Sequence, residues 1–168
     1  MNGKDVKVLL GLGSNIEPRY TYLTKAMEMI ENIIGKIEKS SSVFETEPVG
    51  MSADTNFFLN NVVEIRTRLT PIELLKKCLE IEQKLGRTRN APTYESRNID
   101  IDVLDMEGLV ISEKELVLPH PKLHERLFVL VPLKEIRPDF IHPLLNKKVN
   151  ELINDVSDTL VVKLWKSV

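Results

Sequence analysis

An α+β fold, with a mostly antiparallel sheet and helices packed on it, follows from three features of the 168-residue chain. Residues 6–12, 57–67 and 97–104 carry apolar runs or strict alternation with the period of a strand. The stretches after Pro18 and after Thr70 repeat apolar residues at the three-and-four spacing of a helix with one buried face. The segment 36–46 adds a further, edge-like strand built on Ile37, Val43 and Phe44. Strand, helix, two strands, helix and strand, in that order, is the split βαβ or ferredoxin-like arrangement, and it places the helices on one face of the sheet. With no repeat, low-complexity tract or linker, residues 1–168 are expected to form a single domain.

Taken in order, the first strand ends in Gly11-Leu12-Gly13-Ser14-Asn15, which reads as a tight turn because it lacks the remaining residues of a phosphate-loop fingerprint. Pro18 opens the first helix, Leu23, Ala26, Met27, Ile30, Ile33 and Ile34 form its buried stripe, and Gly35 is expected to cap it. Residues 47–54 form a loop. In the strand 57–67, Leu59, Val63 and Ile65 share one face while Phe58, Asn60 and Val62 share the other. A ring beside an amide suits a flat heterocycle, and equally a core Phe next to an Asn that caps a loop. Thr70-Pro71-Ile72-Glu73 is a capping box with proline in the first turn, and Leu75, Cys78, Leu79 and Glu82 follow on one stripe. Glu82 therefore sits where an apolar residue belongs, and burial demands a partner or a function for it. Gly86 ends this helix. Arg87 and Arg89 then serve either the helix dipole or a phosphate. After the turn at Glu107-Gly108, a short strand runs to Pro119-His120-Pro121, where two prolines present a histidine with Arg126 close behind. Residues 128–136 form a third helix, stopped at Pro138, and the tail is a final amphipathic piece.

The stretch with the most chemical content is Arg97-Asn98-Ile99-Asp100-Ile101-Asp102-Val103-Leu104. Alternation sends Ile99, Ile101 and Val103 into a core and leaves Asp100 and Asp102 together on the other face, about 6–7 Å apart at their Cα atoms. Asp is a poor strand former, so two of them in an Ile/Val run oppose local propensity, a pattern met at functional sites. Paired carboxylates this close suit Mg²⁺, which takes one or two carboxylates, waters and nucleotide phosphates. The competing reading is a solvated strand face.

Composition narrows the function classes. With 23 Lys and Arg against 25 Asp and Glu the formal charge is −2, without the basic excess of a general nucleic-acid or membrane-surface binder. A polar N-terminus with no long apolar run points to a cytoplasmic protein. The single cysteine, Cys78, rules out an internal disulfide, and its helical stripe makes it a buried thiol.

Gly13-Ser14-Asn15, Ser41-Ser42-Val43-Phe44-Glu45-Thr46, Phe58-Leu59-Asn60, Gly86-Arg87-Thr88-Arg89, Arg97-Asn98-Ile99-Asp100-Ile101-Asp102 and Pro119-His120-Pro121 with Arg126 and Phe128 together resemble hydroxymethyldihydropterin pyrophosphokinase, a folate-pathway family, over about residues 6–140. The resemblance implies transfer of the β,γ-pyrophosphate of ATP to the hydroxymethyl group of a reduced pterin, with release of AMP. It implies two Mg²⁺ ions on Asp100 and Asp102, and Arg87 and Arg97 as loop arginines around the phosphates. Glu82, Arg89, Arg97, His120 and Arg126 match its ATP side. Thr46, Val49, Phe58, Asn60 and Phe128 match its pterin pocket, in which Phe58 and Phe128 sandwich the ligand. Its partners are then the two small substrates, with no nucleic acid, membrane or obligate protein partner. The chain departs from the family in loops: Thr93-Tyr94-Glu95-Ser96 replaces a common Arg-Trp-Gly-Pro, Glu47 stands where proline is common, and Phe58 where some members carry Tyr. At this length the second catalytic domain of fused folate enzymes is not expected. Two alternatives compete with this expectation. A different magnesium-dependent phosphoryl or nucleotidyl transferase would keep the acidic pair without the Phe58, Asn60 and Phe128 set, and a non-catalytic ligand-binding module would leave the acidic pair solvated.

Overall fold

A computed structural model describes residues 5–48, 55–86, 98–157 and 160–166. Within them the chain runs β1 (Val6–Ser14), α1 (Arg19–Ile33), β2 (Lys36–Ser40), β3 (Phe44–Thr46), β4 (Phe58–Thr67), α2 (Pro71–Lys84), β5 (Asp100–Met106), β6 (Ile111–Ser112), β7 (Val117–Leu118), a 3-10 turn (Leu123–Glu125), α3 (Leu127–Ile136), α4 (Val149–Asp155) and β8 (Val162–Leu164). The main sheet has the order β5-β1-β4-β3-β8, β2 also pairs with β4, and every pairing is antiparallel. The α+β class and the mostly antiparallel sheet are as expected.

The helices, however, cover both faces. Val8, Leu10, Leu12, Leu59, Val63, Ile65, Ile101 and Val103 pack against Leu23, Ala26 and Ile30 of α1 and Leu74, Cys78 and Ile81 of α2. On the opposite face Leu9, Val62 and Leu104 pack against Val129, Leu130, Leu133 and Ile136 of α3 and Val149 and Leu152 of α4. The unbroken Val8-Leu9-Leu10 run requires this, because a strand apolar at both parities needs cover on both sides.

Several local expectations change. The segment 36–46 is two strands on the same partner, separated where Ser41 takes over part of the ladder: its N–H donates to the Val62 carbonyl (2.9 Å) and its hydroxyl accepts the Val62 N–H (3.0 Å). The tail is β8, which extends the sheet beyond β3 and sets Trp165 against Tyr20, ring centroids 4.8 Å apart. On α2 the buried stripe is Leu74, Cys78, Ile81 and Glu82 rather than one through Leu75 and Leu79, while the capping box at Thr70 and Glu73 forms as read. Burial pushes the Cys78 thiol up to about 12, aided by the nearby Glu82 and Asp102, so it is a structural side chain. Gly86 does end α2 in the left-handed region (φ 91°). Gly35 follows the C-cap residue of α1 and its N–H donates to the Ile30 carbonyl (3.1 Å), but without a left-handed φ. A Cβ there would stand 1.9 Å from the Arg66 carbonyl oxygen, so glycine is needed for the close passage of the chain over β4.

At the far end of the second face, Glu64 is 1% exposed and its Oε2 accepts a hydrogen bond from Arg137 Nη1 at 2.6 Å. Beside it, burial pushes the Asp105 carboxyl up to about 6; Arg137 pulls it down and Glu107 pushes it further up.

Gly35→Ala is expected to cost about 1–3 kcal/mol or more in chemical denaturation, because backbone must move to admit the methyl. The raised Asp105 carboxyl means that between roughly pH 4 and 6 the native state holds a proton the unfolded chain has released, so its contribution to stability declines as pH rises through that window. Asp105→Asn is therefore expected to stabilise the protein by about 1–2 kcal/mol at pH 8 and to leave it unchanged at pH 4, with partial exposure included in that range. Urea melts at the two pH values check this.

Candidate active site

The central strand β1 has no side chains at two successive positions of its second face. Gly11 and Gly13 were expected in a turn, but both lie inside β1. The register fixes what surrounds them: Gly13 is flanked by Asn60 of β4 and Asp100 of β5, and Gly11 by Val62 and Asp102. A Cβ on Gly13 would stand 2.7 Å from Asn60 Oδ1, and one on Gly11 would meet Leu104 at 3.3 Å. Above this bare floor opens a cavity of about 360 Å³, lined by Thr46, Glu47, Phe58 and Asn60 of the β3–β4 region, by Asp100 and Asp102 of β5, and by His120, Arg126 and Phe128.

Each wall is held from behind. Asn60 is buried and donates from Nδ2 to the Thr46 hydroxyl at 2.6 Å, which sets its amide orientation and joins β3 to β4 at the cavity edge. Phe58 lies two residues earlier on the same face of β4. Asp100 and Asp102 share the cavity face of β5, while Ile99, Ile101 and Val103 enter the core, as alternation requires. Glu82 is 1% exposed and lies behind β5 rather than in the cavity wall; its Oε1 accepts the Ile101 N–H at 2.8 Å, between the two aspartates. The expected buried carboxylate is there, and among its partners is a backbone amide.

Arg126, at the N-cap of α3, brings Nη1 to 3.7 Å from Asp102 Oδ2 and its guanidinium carbon to 5.4 Å from the Phe128 ring centroid. It thereby joins the aromatic wall to the acidic pair. His120 is tied to β5 by its N–H to the Leu104 carbonyl (2.7 Å), and its Nδ1 accepts the Lys122 N–H (3.1 Å). A ring that accepts at Nδ1 carries its proton on Nε2 when neutral. Burial drives the His120 pKa down to about 4, the Arg126 charge lowers it further and Asp100 opposes, so at pH 7 the cavity meets a neutral N–H donor.

Of the residues expected at the site, Thr46, Phe58, Asn60, Asp100, Asp102, His120, Arg126 and Phe128 converge on one cavity. Val49, Arg87, Arg89 and Arg97, together with Thr93-Tyr94-Glu95-Ser96, lie outside the described residues. Gly11, Gly13, Lys122 and Glu125 also line the cavity. Glycine inside an apolar strand pattern, a mark of close backbone approach, is the signal that points to the first two.

Residues 9–138 match the family of 7,8-dihydro-6-hydroxymethylpterin-pyrophosphokinase (HPPK). Three proteins named 2-amino-4-hydroxy-6-hydroxymethyldihydropteridine pyrophosphokinase are similar along most of their length. That of Bacillus subtilis is 44% identical over 158 residues, 94% of this chain and 89% of the relative. That of Aquifex aeolicus is 42% identical over 144 residues, 86% and 88%, and that of Methylorubrum extorquens 46% identical over 136 residues, 80% and 85%. Among solved structures, an HPPK-DHPS of Plasmodium falciparum superposes with a TM-score of 0.75 over 91% of this chain at 18% identity, a likeness of fold, and this chain spans 43% of that longer one. By the extent of the match and the identity to these relatives, the chain belongs to the 7,8-dihydro-6-hydroxymethylpterin-pyrophosphokinase family.

Proposed function

We propose that the cavity on the glycine floor of β1 is where ATP and a hydroxymethyldihydropterin meet, with the pterin between Phe58 and Phe128 and the triphosphate over Asp100, Asp102, His120 and Arg126. The chain is a pyrophosphokinase of folate biosynthesis, so the hydroxymethyl oxygen forms a bond to the β-phosphorus of ATP as the bond from that phosphorus to the α-phosphate oxygen breaks and AMP leaves. The observation that carries the assignment is the Asn60–Gly13–Asp100 row, which sets a heterocycle-reading amide and a carboxylate on either side of an empty strand position.

The donor set fits magnesium. Asp100 and Asp102 offer hard oxygens from one strand face, and among the described residues no group of three or more His, Cys, Asp or Glu forms a closed metal cage. Mg²⁺ favours such an open pair, since phosphates and water complete its shell. Two ions held by these aspartates would neutralise charge on the β- and γ-phosphates during transfer. The protein's own groups do the rest by position. Asn60 reads the polar edge of the pterin beside Thr46, with Val49 completing that pocket. His120 donates from Nε2 to a phosphate or ribose oxygen without adding charge. Arg126, with Arg87, Arg89 and Arg97 from the segment that follows α2, faces the phosphates. Glu82 serves the nucleotide side by holding the Ile101 amide, and so the spacing of the two carboxylates.

The sheet order, with β1 between β4 and β5 and the β2–β3 pair outside β4, supports the ferredoxin-like split βαβ assignment. We read residues 1–168 as one domain acting in the cytoplasm on two small substrates; no helix among the described residues is long and apolar enough to cross a membrane.

Pterin-dependent AMP release from ATP and Mg²⁺ is the assay. Asp100→Ala and Asp102→Ala are expected to lower kcat by at least about 10³-fold, a loss of the order seen when one electrostatic stabiliser is removed, and Asn60→Ala to act mainly through pterin affinity. ADP as the product, or equal losses at all three positions, would reject the assignment. For His120, the neutral-donor role predicts that His120→Gln, which keeps an N–H near Nε2, retains most activity, and that the wild-type kcat/KM profile shows no histidine titration between pH 5.5 and 8.

A further inference from the structure

Nothing in the proposed reaction uses His142, yet this ring is 3% exposed and makes contacts on both sides. Its Nδ1 accepts the N–H groups of Leu144 (3.3 Å) and Leu145 (3.2 Å), which closes the turn between α3 and α4. The same turn is tied by His142 N–H to the Lys147 carbonyl and by Asn146 N–H to the His142 carbonyl, both 2.9 Å, with Asn146 in the left-handed region (φ 52°). Because Nδ1 accepts, the neutral ring carries its proton on Nε2. That nitrogen is buried without a hydrogen-bond partner, and its ring stands edge-on to His124, centroids 5.6 Å apart at 83°. His124 mirrors it: Nε2 lies 3.5 Å from Glu125 Oε1, and Nδ1 is buried without a hydrogen-bond partner. His124 belongs to the 3-10 turn between His120 and Arg126, and Leu123 of that turn packs among Phe140, Val149 and Leu152.

We infer that His142 is a positioning residue for the nucleotide half of the site: through the turn it closes and through His124 it fixes the 3-10 turn, and with it the placement of His120 and Arg126. The inference rests on the assignment of ATP to that wall. His142 lies beyond residue 138, where the family match ends. Of the pterin half, Thr46, Phe58 and Asn60 stand on β3 and β4, and only Phe128 is carried by α3 beside Arg126, so the expected effect falls mainly on the nucleotide side.

His142→Ala is expected to raise the KM for ATP about tenfold, the scale of a sub-ångström misplacement of binding groups, with a smaller loss of pterin affinity, felt only through Phe128. His142→Asn, whose Oδ1 occupies the place of Nδ1, should restore ATP affinity, and His124→Ala, at a ring 34% exposed, should reproduce the His142→Ala effect while leaving the turn closed. Binding of a non-hydrolysable ATP analogue with Mg²⁺ gives a readout independent of turnover. Unchanged analogue binding in His124→Ala, equal loss of ATP and pterin affinity, or no rescue by Asn would each overturn the inference. Should His142→Ala fail to fold, His124→Ala and His142→Asn decide. Absence of pterin-dependent AMP from the wild type would instead count against the assigned reaction.

Discussion

The site depends on β1 being paired along both edges while presenting hydrogen in place of side chains at Gly11 and Gly13. Inter-strand spacing of about 4.8 Å puts the Cα atoms of Asn60 and Asp100 about 10 Å apart across Gly13. This is room for a bicyclic ring and its hydroxymethyl arm between the amide and the carboxylates. Any Cβ at Gly13 would strike Asn60 Oδ1, so the floor and the reading residue require one another. Register therefore sets the distance between the amide and the carboxylates. The hydrogen bonds that fix it are backbone ladders, the part of the structure least open to drift.

Charge is arranged on top of that geometry. The acidic pair stands at the open side of β5, and the carboxylate behind it, Glu82, accepts the Ile101 amide between the two aspartates. On the far wall Arg126 brings a fixed positive charge to 3.7 Å from Asp102, while the neighbouring His120 is kept neutral by burial and by that same arginine. The wall thus presents a cation beside a donor that stays neutral near pH 7, the combination that the proposed phosphate contacts call for. Such a site stabilises charge by preorganised dipoles and needs no covalent nucleophile, consistent with the inert, buried Cys78.

What could be read from residues alone followed the reach of periodicity. Asp100 and Asp102, and Phe58 with Asn60, were legible because alternation assigns faces, and each pair does share the face it was given. Gly11 and Gly13 were misread as a turn because glycine carries no face signal and ends a pattern as readily as it continues one. Spacing showed that Glu82 is buried, yet its backbone partner at Ile101 is written in no side-chain pattern. The order of elements points to helices on one face only, whereas the second covered face is written in Val8-Leu9-Leu10, which is apolar at both parities. The 3-10 turn and α4 left no usable trace and β8 only that of an amphipathic tail, since elements of three to seven residues have little stability of their own and form where tertiary contacts place them.

Those short elements explain how a small cavity keeps its shape. β3 has three residues, too few to hold Thr46 in place by one ladder, and it is paired on both sides, with β4 and with β8. The wall that carries His120 and Arg126 rests on the 3-10 turn, which is equally short and is backed by Leu123 in the cluster of α3 and α4. In both places the residue that faces the cavity lies within residues 9–138, whereas the residues that support it extend past 138. The floor is rigid through sheet pairing, and the two walls are rigid only through what packs behind them. It follows that the C-terminal segment contributes to the site by restraining groups it does not itself supply.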